Sequence, residues 1–161
     1  MKGNKHLNLE DLVPHRGDML LLDEIVSMSD SGAHARAHMH SNHPFRVEGR
    51  GVPAWVGMEL MAQTIAAFSG RHARQAGEPV RLGYLLGARA YDCERDSFPE
   101  GAVLDIHVRE DLRQDNGFGA FSGTVELDGE ILASGRLNVF QSEDVAPGFA
   151  SESSDNHKDG A

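Results

Sequence analysis

The pattern of apolar and polar residues predicts one long buried helix near the middle of the chain. From residue 53 to about residue 76 almost every position is apolar or small, so the helix is expected to be buried on nearly every side. Pro53 suits its first turn, because the N–H that proline lacks has no helical partner there. Gly77 and the Glu78-Pro79 pair that follows it predict the helix end. One apolar stripe recurs at spacings of three and four residues: Ala54, Met58, Met61, Ile65 and Phe68.

Extended segments precede and follow this helix. Two strands are predicted before it, over residues 19–29 and 33–40, and Asp128-Gly129 is typical of a hairpin turn between two later strands. The strands predicted after the helix cover residues 80–95, 102–112, 118–127 and 130–141. This order predicts an α+β fold in which a curved antiparallel sheet wraps one helix. An open sheet edge in such a fold favours the pairing of two subunits.

The chain is expected to form one domain, over residues 1–141, followed by a disordered acidic tail, over residues 142–161. A length of 161 residues suits a single domain with a sizeable core. The tail is rich in Ser, Asp and Gly, has no apolar periodicity, and carries five acidic residues against one lysine.

Composition excludes several classes of partner and site. A net charge of −10 disfavours nucleic acid as a partner. The single cysteine, Cys93, cannot form an internal disulfide, which favours a cytoplasmic location. No apolar run reaches the roughly 18 residues that span a membrane, and residues 1–11 lack the apolar core of a signal peptide. His34, His38 and His40 alternate without a second cluster of ligands, so no metal site is expected.

Glu59 is the one acidic residue inside the apolar helix. A buried carboxylate costs several kcal/mol unless it is paired or neutralised, so its pKa is expected to rise. A carboxyl with a raised pKa suits general acid or base chemistry near neutral pH. Alternatively, Glu59 caps a buried polar network or lies in water at a helix edge. His43 lies in the loop that leads into the helix.

Three segments resemble the hotdog-fold 3-hydroxyacyl-[acyl-carrier-protein] dehydratases. Residues 12–23, LVPHRGDMLLLD, resemble the opening L-P-H-R-x-P-x-L-L-x-D of that family. Residues 53–63 resemble its P-G-x-x-x-x-E-x-x-A-Q, with Glu59 on the glutamate and Gln63 on the glutamine. Residues 98–101 resemble its V-x-P-G-D turn. The resemblance covers roughly residues 7–140 and is closest to predicted dehydratases of aryl-polyene and polyketide-like systems, whose helix opens V-P-A-W-V-G.

The resemblance implies a hotdog fold whose two subunits join their sheets and share each active site. One subunit supplies Glu59 and the other a histidine, whose nearest counterpart here is His43, although its loop is longer than in the family. His15 competes with it for the role of base. Ala54 replaces the family's glycine at the helix start but keeps the backbone N–H that would polarise a thioester carbonyl. The resemblance also assigns substrate binding to Trp55, Gln63 and His15, with no metal and no redox cofactor.

The implied activity is dehydration of a 3-hydroxyacyl thioester on acyl carrier protein to the trans-2-enoyl thioester, in fatty-acid or polyene-like biosynthesis. Two alternatives remain open: a hotdog acyl thioesterase, and a weakly catalytic partner subunit of a heteromeric dehydratase. The oligomer is accordingly a homodimer or a heteromer with another hotdog subunit. Acyl carrier proteins are acidic, so docking requires a local basic patch, for which the candidates are Arg46, Arg50, Arg71, Arg74 and Arg81.

Overall fold

The computed structural model describes residues 8–149, which form one long helix against a large sheet. The helix, α1, is Val56–Gln75. Eight strands surround it: β1 Glu24–Met28, β2 Gly32–His38, β3 Val52–Pro53, β4 Arg81–Cys93, β5 Ser97–Phe98, β6 Val103–Arg113, β7 Phe118–Leu127 and β8 Glu130–Val145. Six of these strands form an antiparallel sheet in the order β1-β2-β6-β7-β8-β4, and β3 pairs with β5. The predicted α+β layout is therefore confirmed.

The core lies between α1 and the inner face of this sheet. Met61, Ile65 and Phe68 of the predicted stripe are buried, and the Phe68 ring meets Phe121 of β7 edge to face, with centroids 5.8 Å apart. The buried face is centred further round the helix than expected, since Leu60 and Ala67 are fully buried whereas Met58 is only partly so. Apolar side chains of the sheet complete the core: Ala35, Leu104, Ile106, Val125 and Leu137.

The helix begins three residues later than predicted. Pro53 does not lie in its first turn: Val52 and Pro53 form β3 and pair with Phe98 and Ser97. Burial of Val52 and Phe98 explains the difference, because the extended backbone places both side chains in the core. The predicted helix end is confirmed. Gly77 has a φ of +70°, and the Glu78 N–H donates to the Ala73 carbonyl, which closes the last turn as a Schellman motif.

Two predicted strand boundaries are wrong. Residues 17–19 form a short 3₁₀ turn, so β1 begins only at Glu24. At the other end β8 continues past Gln141 to Val145, and the fully buried Ala146 donates its N–H to the Val80 carbonyl at 2.9 Å. The first residues of the expected disordered tail are thus part of the sheet, because an apolar Val-Ala pair follows the acidic residues and packs beside the start of β4. Residues 150–161 of that tail lie outside the described residues.

Strand β4 forms an exposed edge of the six-stranded sheet. It pairs with β8 on one side, and most of its residues are exposed, including Leu85 and Leu86. Its register with β8 shifts at Gly83 and Gly87, as their positions inside a predicted strand suggested. No helix of residues 8–149 is both long enough and apolar enough to cross a membrane.

Candidate active site

Glu59 lies in the first turn of α1, on a flank of the helix that the sheet covers incompletely. Its neighbours on this flank, Met58 and Ala62, are also only partly buried. The Glu59 side chain is 36% exposed, so the expectation of full burial is wrong for the single chain. The position near the helix N-terminus stabilises negative charge there. The Glu59 carboxyl thus lies near the helix N-terminus and is accessible to solvent.

Gln63 orients the Glu59 carboxyl. Its amide nitrogen Nε2 donates to Glu59 Oε1 at 3.0 Å and to the Met19 carbonyl at 2.8 Å, and its oxygen Oε1 accepts from the Leu21 N–H at 2.9 Å. Gln63 is fully buried, so its rotamer is held by three partners from two segments. Because Glu59 Oε1 already accepts a hydrogen bond, a proton on this carboxyl is carried by Oε2. Oε2 is therefore the atom that can exchange a proton with a ligand.

His15 lies beside the same carboxyl. Its Nε2 is 3.6 Å from Glu59 Oε1, and its Nδ1 is buried without a hydrogen-bond partner within residues 8–149. Burial lowers the pKa of His15; the nearby Arg16 lowers it further, whereas Glu59 acts in the opposite direction. His15 therefore lies next to Glu59, as expected. Its lowered pKa favours the neutral ring at neutral pH. Its substrate-binding role stays a prediction.

His43 is buried in the loop before β3, with 8% of its surface exposed. The backbone N–H of Phe45 donates to its Nδ1 at 3.2 Å, so the neutral ring carries its hydrogen on Nε2, which is buried and has no partner in the described part of the chain. Burial is the main cause that lowers the His43 pKa, and His40 lowers it further. No hydrogen bond or ion pair joins His43 to Glu59 within residues 8–149. The resemblance assigns the two residues to different subunits, so their pairing stays a prediction.

Aromatic contacts connect the His43 loop with the start of α1. The His43 and Phe45 ring centroids are 6.1 Å apart, and Phe45 meets Trp55 edge to face at 5.1 Å. Trp55, the residue before the helix, is 52% exposed. These aromatic rings lie between the histidine loop and the helix N-terminus and make this part of the surface apolar.

The free backbone donors at the helix start differ from the expected one. The Ala54 N–H donates to the Asp96 carbonyl at 2.9 Å, so the assignment of the polarising donor to Ala54 is wrong on this geometry. The next two N–H groups, of Trp55 and Val56, have no acceptor within residues 8–149. N–H groups without acceptors at a helix N-terminus, together with the helix dipole, favour a negative charge beside them. The first N–H group without an acceptor within residues 8–149 is therefore that of Trp55, one residue later than expected.

Sequence reasoning missed one side chain at this helix start. The Tyr91 hydroxyl, from β4, donates to the Ala54 carbonyl at 2.6 Å. The contact joins residues 37 positions apart, and the alternation of a strand gives no sign of it.

Three of the five arginines proposed for docking have partners within this chain. Arg46 pairs with Glu100 at 2.8 Å, Arg74 lies 3.8 Å from Asp11, and Arg81 donates to a backbone carbonyl. Of the five arginines proposed for docking, only Arg46 and Arg74 thus form ion pairs within residues 8–149, and Arg50, Arg71 and Arg81 form none there. Over the same residues, no group of three or more His, Cys, Asp or Glu side chains is placed to hold a metal ion.

Comparison with known proteins gives a consistent family. The model of the ApeP-like dehydratases, described as ApeP dehydratase, matches residues 7–150. The chain is 32% identical over 146 residues to the 3-hydroxyacyl-[acyl-carrier-protein] dehydratase FabZ of Yersinia pestis (strain Pestoides F), covering 85% of this chain and 79% of the relative.

Solved structures agree with the family match. A chain of the dehydratase heterocomplex ApeI:P from Xenorhabdus doucetiae superposes with a TM-score of 0.80 at 36% identity, covering 86% of this chain and 93% of that one. A hypothetical thioesterase with coenzyme A from Streptococcus pneumoniae TIGR4 is similar at a TM-score of 0.59 and 11% identity, over 74% of this chain and 84% of that one, and shares the fold alone.

Proposed function

The chain belongs to the ApeP-like dehydratase family, and we propose that it removes water from a 3-hydroxyacyl thioester on acyl carrier protein, which yields the trans-2-enoyl thioester. The observation that carries this proposal is the Glu59 carboxyl, oriented by Gln63 and placed in the same helical turn as two free N–H groups. The comparisons support the substrate class, because FabZ is a dehydratase of such thioesters, and the relation to ApeI:P supports a role in polyene-like biosynthesis.

In the proposed mechanism the thioester carbonyl accepts hydrogen bonds from the N–H groups of Trp55 and Val56. These donors stabilise the negative charge that grows on the carbonyl oxygen as the α-carbon loses its proton. Where the second subunit is another copy of this chain, its His43 takes that proton on Nε2; in a heteromer, the base is a histidine of the other hotdog protein. Glu59 gives the proton on Oε2 to the β-hydroxyl, so the C–O bond breaks and water leaves. Both groups then return to their starting protonation by exchange with solvent.

His43 must change its tautomer to act as the base. In the single chain its hydrogen lies on Nε2, and a free Nε2 lone pair requires the hydrogen on Nδ1 instead. The exchange gives up the bond from the Phe45 N–H, which contributes about 1 kcal/mol. General base catalysis contributes about 100- to 10,000-fold, or roughly 3–5 kcal/mol. The tautomer cost is therefore smaller than the gain, and the lowered pKa keeps the ring unprotonated.

We also propose that the active unit contains a second hotdog subunit paired along β4. This strand is an unpaired edge with exposed leucines, and pairing would continue the sheet across the interface. The absence of a hydrogen bond or ion pair between Glu59 and His43 within residues 8–149 fits a site shared by two subunits. The relation to a heterocomplex supports a different hotdog protein as partner, and a second copy is the alternative.

The test is formation of the enoyl thioester from a 3-hydroxyacyl carrier protein, by this chain alone and together with a candidate second hotdog subunit. Glu59→Gln keeps the shape and the bond to Gln63 but cannot exchange a proton, so the rate should fall about 100- to 10,000-fold. Glu130→Gln, which neutralises an exposed carboxylate in the β7–β8 hairpin, is the matched control and should leave the rate unchanged. Wild-type turnover by the Glu59→Gln complex would assign the chemistry to the other subunit. Release of free thiol without enoyl product would instead indicate a thioesterase.

A further inference from the structure

Tyr91 fills the space between β4 and the start of α1. Its hydroxyl donates to the Ala54 carbonyl at 2.6 Å, and two glycines give its ring and hydroxyl room. A Cβ at Gly57 would overlap the Tyr91 hydroxyl, and a Cβ at Gly135 of β8 would lie 3.2 Å from Tyr91 Cδ2. Gly57 and Gly135 do not have positive φ angles, so the backbone alone does not require glycine at either position. Their small size serves the placement of Tyr91.

The Ala54 carbonyl and the Trp55 N–H belong to one planar peptide unit. In a trans peptide these two groups point in opposite directions, so a donor that holds the carbonyl also fixes the direction of the N–H. The Gly57 N–H holds the same carbonyl at 3.1 Å, and the Ala54 N–H is held by Asp96. The Trp55 N–H thereby points away from the Tyr91 hydroxyl, and it has no acceptor within residues 8–149. A hydrogen bond to the carbonyl also polarises the peptide and strengthens its N–H as a donor.

We infer that Tyr91 is a positioning residue for the proposed reaction: through the Ala54–Trp55 peptide, its hydroxyl aims and strengthens the N–H that holds the thioester carbonyl. This inference rests on the proposed function. The Glu59 carboxyl, which Gln63 holds in the first turn of the same helix, is the second group that this end of the helix offers to a ligand. Burial raises the pKa of Tyr91, so its hydroxyl remains a donor at any working pH.

The first experiment measures Tyr91→Phe in the complete active assembly. Phenylalanine keeps the ring between the two glycines and removes only the donor. Because the hydrogen bond acts mainly on charge in the transition state, we expect kcat to fall about tenfold with KM within about twofold. The pH limbs of kcat should not move, since Tyr91 does not exchange a proton. Glu130→Gln, which lies outside both the site and the β4 edge, is the control and should leave kcat unchanged. Wild-type kcat in Tyr91→Phe would overturn the inference.

A second readout does not depend on turnover. A saturated acyl thioester on carrier protein, labelled with ¹³C at its carbonyl, reports the donor strength as a downshift of the carbonyl infrared band on binding. The downshift should be smaller with Tyr91→Phe than with wild type or Glu130→Gln. An equal downshift would overturn the inference even if turnover fell. A wild type that lacks turnover but shifts the band would refute the proposed function alone, and one that does neither would refute both.

Gly57→Ala tests the placement of the hydroxyl itself. The added methyl group meets the Tyr91 hydroxyl, so this variant should melt several degrees below wild type. In the Tyr91→Phe background the oxygen is gone, and the same Gly57→Ala change should lower the melting temperature by less than half as much. Equal losses in the two backgrounds would show that the hydroxyl does not lie over Gly57, which contradicts the geometry on which the inference depends.

Discussion

Replacement of Gln63 by methionine tests the contact that orients the proposed acid. Methionine has nearly the same length and volume, so little cavity is created. The change removes three hydrogen bonds, and their costs differ. The Leu21 N–H is left buried and unpaired, which costs about 1–3 kcal/mol, whereas Met19 is exposed, so water can satisfy its carbonyl. With the lost bond to Glu59, the free energy of unfolding should fall by about 2–4 kcal/mol.

Thermal unfolding and turnover together measure this effect. For a chain of this size, about 2–4 kcal/mol corresponds to a fall in melting temperature of roughly 4–16 °C. The matched control is Thr64→Val at the next position, where the lost hydroxyl donates only to the Leu60 carbonyl of its own helix, so the loss should stay below about 1 kcal/mol. Gln63→Met should also lower kcat, since Glu59 Oε1 loses its donor. A melting temperature equal to that of wild type would refute the claim that Gln63 joins the helix to the Leu21 segment.

Four further predictions follow from the described contacts. The acid limb of kcat/KM should lie below pH 6.5, because burial and then His40 lower the His43 pKa, and His43→Ala should abolish that limb. The free energy of unfolding should decrease as pH falls below 6.5, because the unfolded chain then binds protons that folded His15 and His43 do not, as burial lowers the pKa of both. A chain that ends at Gln141 should lose about 1–3 kcal/mol of stability in thermal unfolding relative to one that ends at Phe149, because it uncovers Val80 and removes buried Ala146; equal melting points would contradict the role of this segment. Leu86→Glu should lower the mass measured by sedimentation toward that of the monomer, 17.5 kDa. A wild-type protein that already sediments at the monomer mass, with or without a partner, would rule out pairing along β4.

The helix and most strands were predictable because their signals are local. Spacing of apolar residues identified α1, Gly77 marked its end, and the predicted strand over residues 118–127 coincides with β7. The helix start was mispredicted because Pro53 suits a first helical turn and an edge strand equally well, and only its pairing with β5 distinguishes the two. Similarly, β8 runs past Gln141 because Ala146 docks against Val80, a contact between segments 66 positions apart that leaves no periodic signal.

The contact between Glu59 and Gln63 was predictable, but the other hydrogen bonds near the helix start were not. The motif identified Glu59 and Gln63, whose spacing of four places them on one helix face. It could not show that the Ala54 N–H is taken by Asp96, because that acceptor belongs to the turn between β4 and β5. Nor could it show that Tyr91 reaches the same peptide. Which N–H groups are free depends on long-range contacts, and a sequence motif carries no information about them.

The exposure of the Glu59 side chain in the single chain indicates that the reaction takes place in an assembly that covers it. Glu59 is 36% exposed while the Gln63 beside it is fully buried, so the carboxyl lies at the boundary between core and surface. Acid–base steps on an enolate-like species require that water be excluded, and this chain does not exclude it over residues 8–149. The same strand that carries Tyr91 to the helix start also presents the unpaired edge. A subunit that pairs along β4 would therefore cover the sheet edge and act directly on the strand that positions Tyr91, so assembly and the orientation of the Trp55 N–H are expected to be coupled.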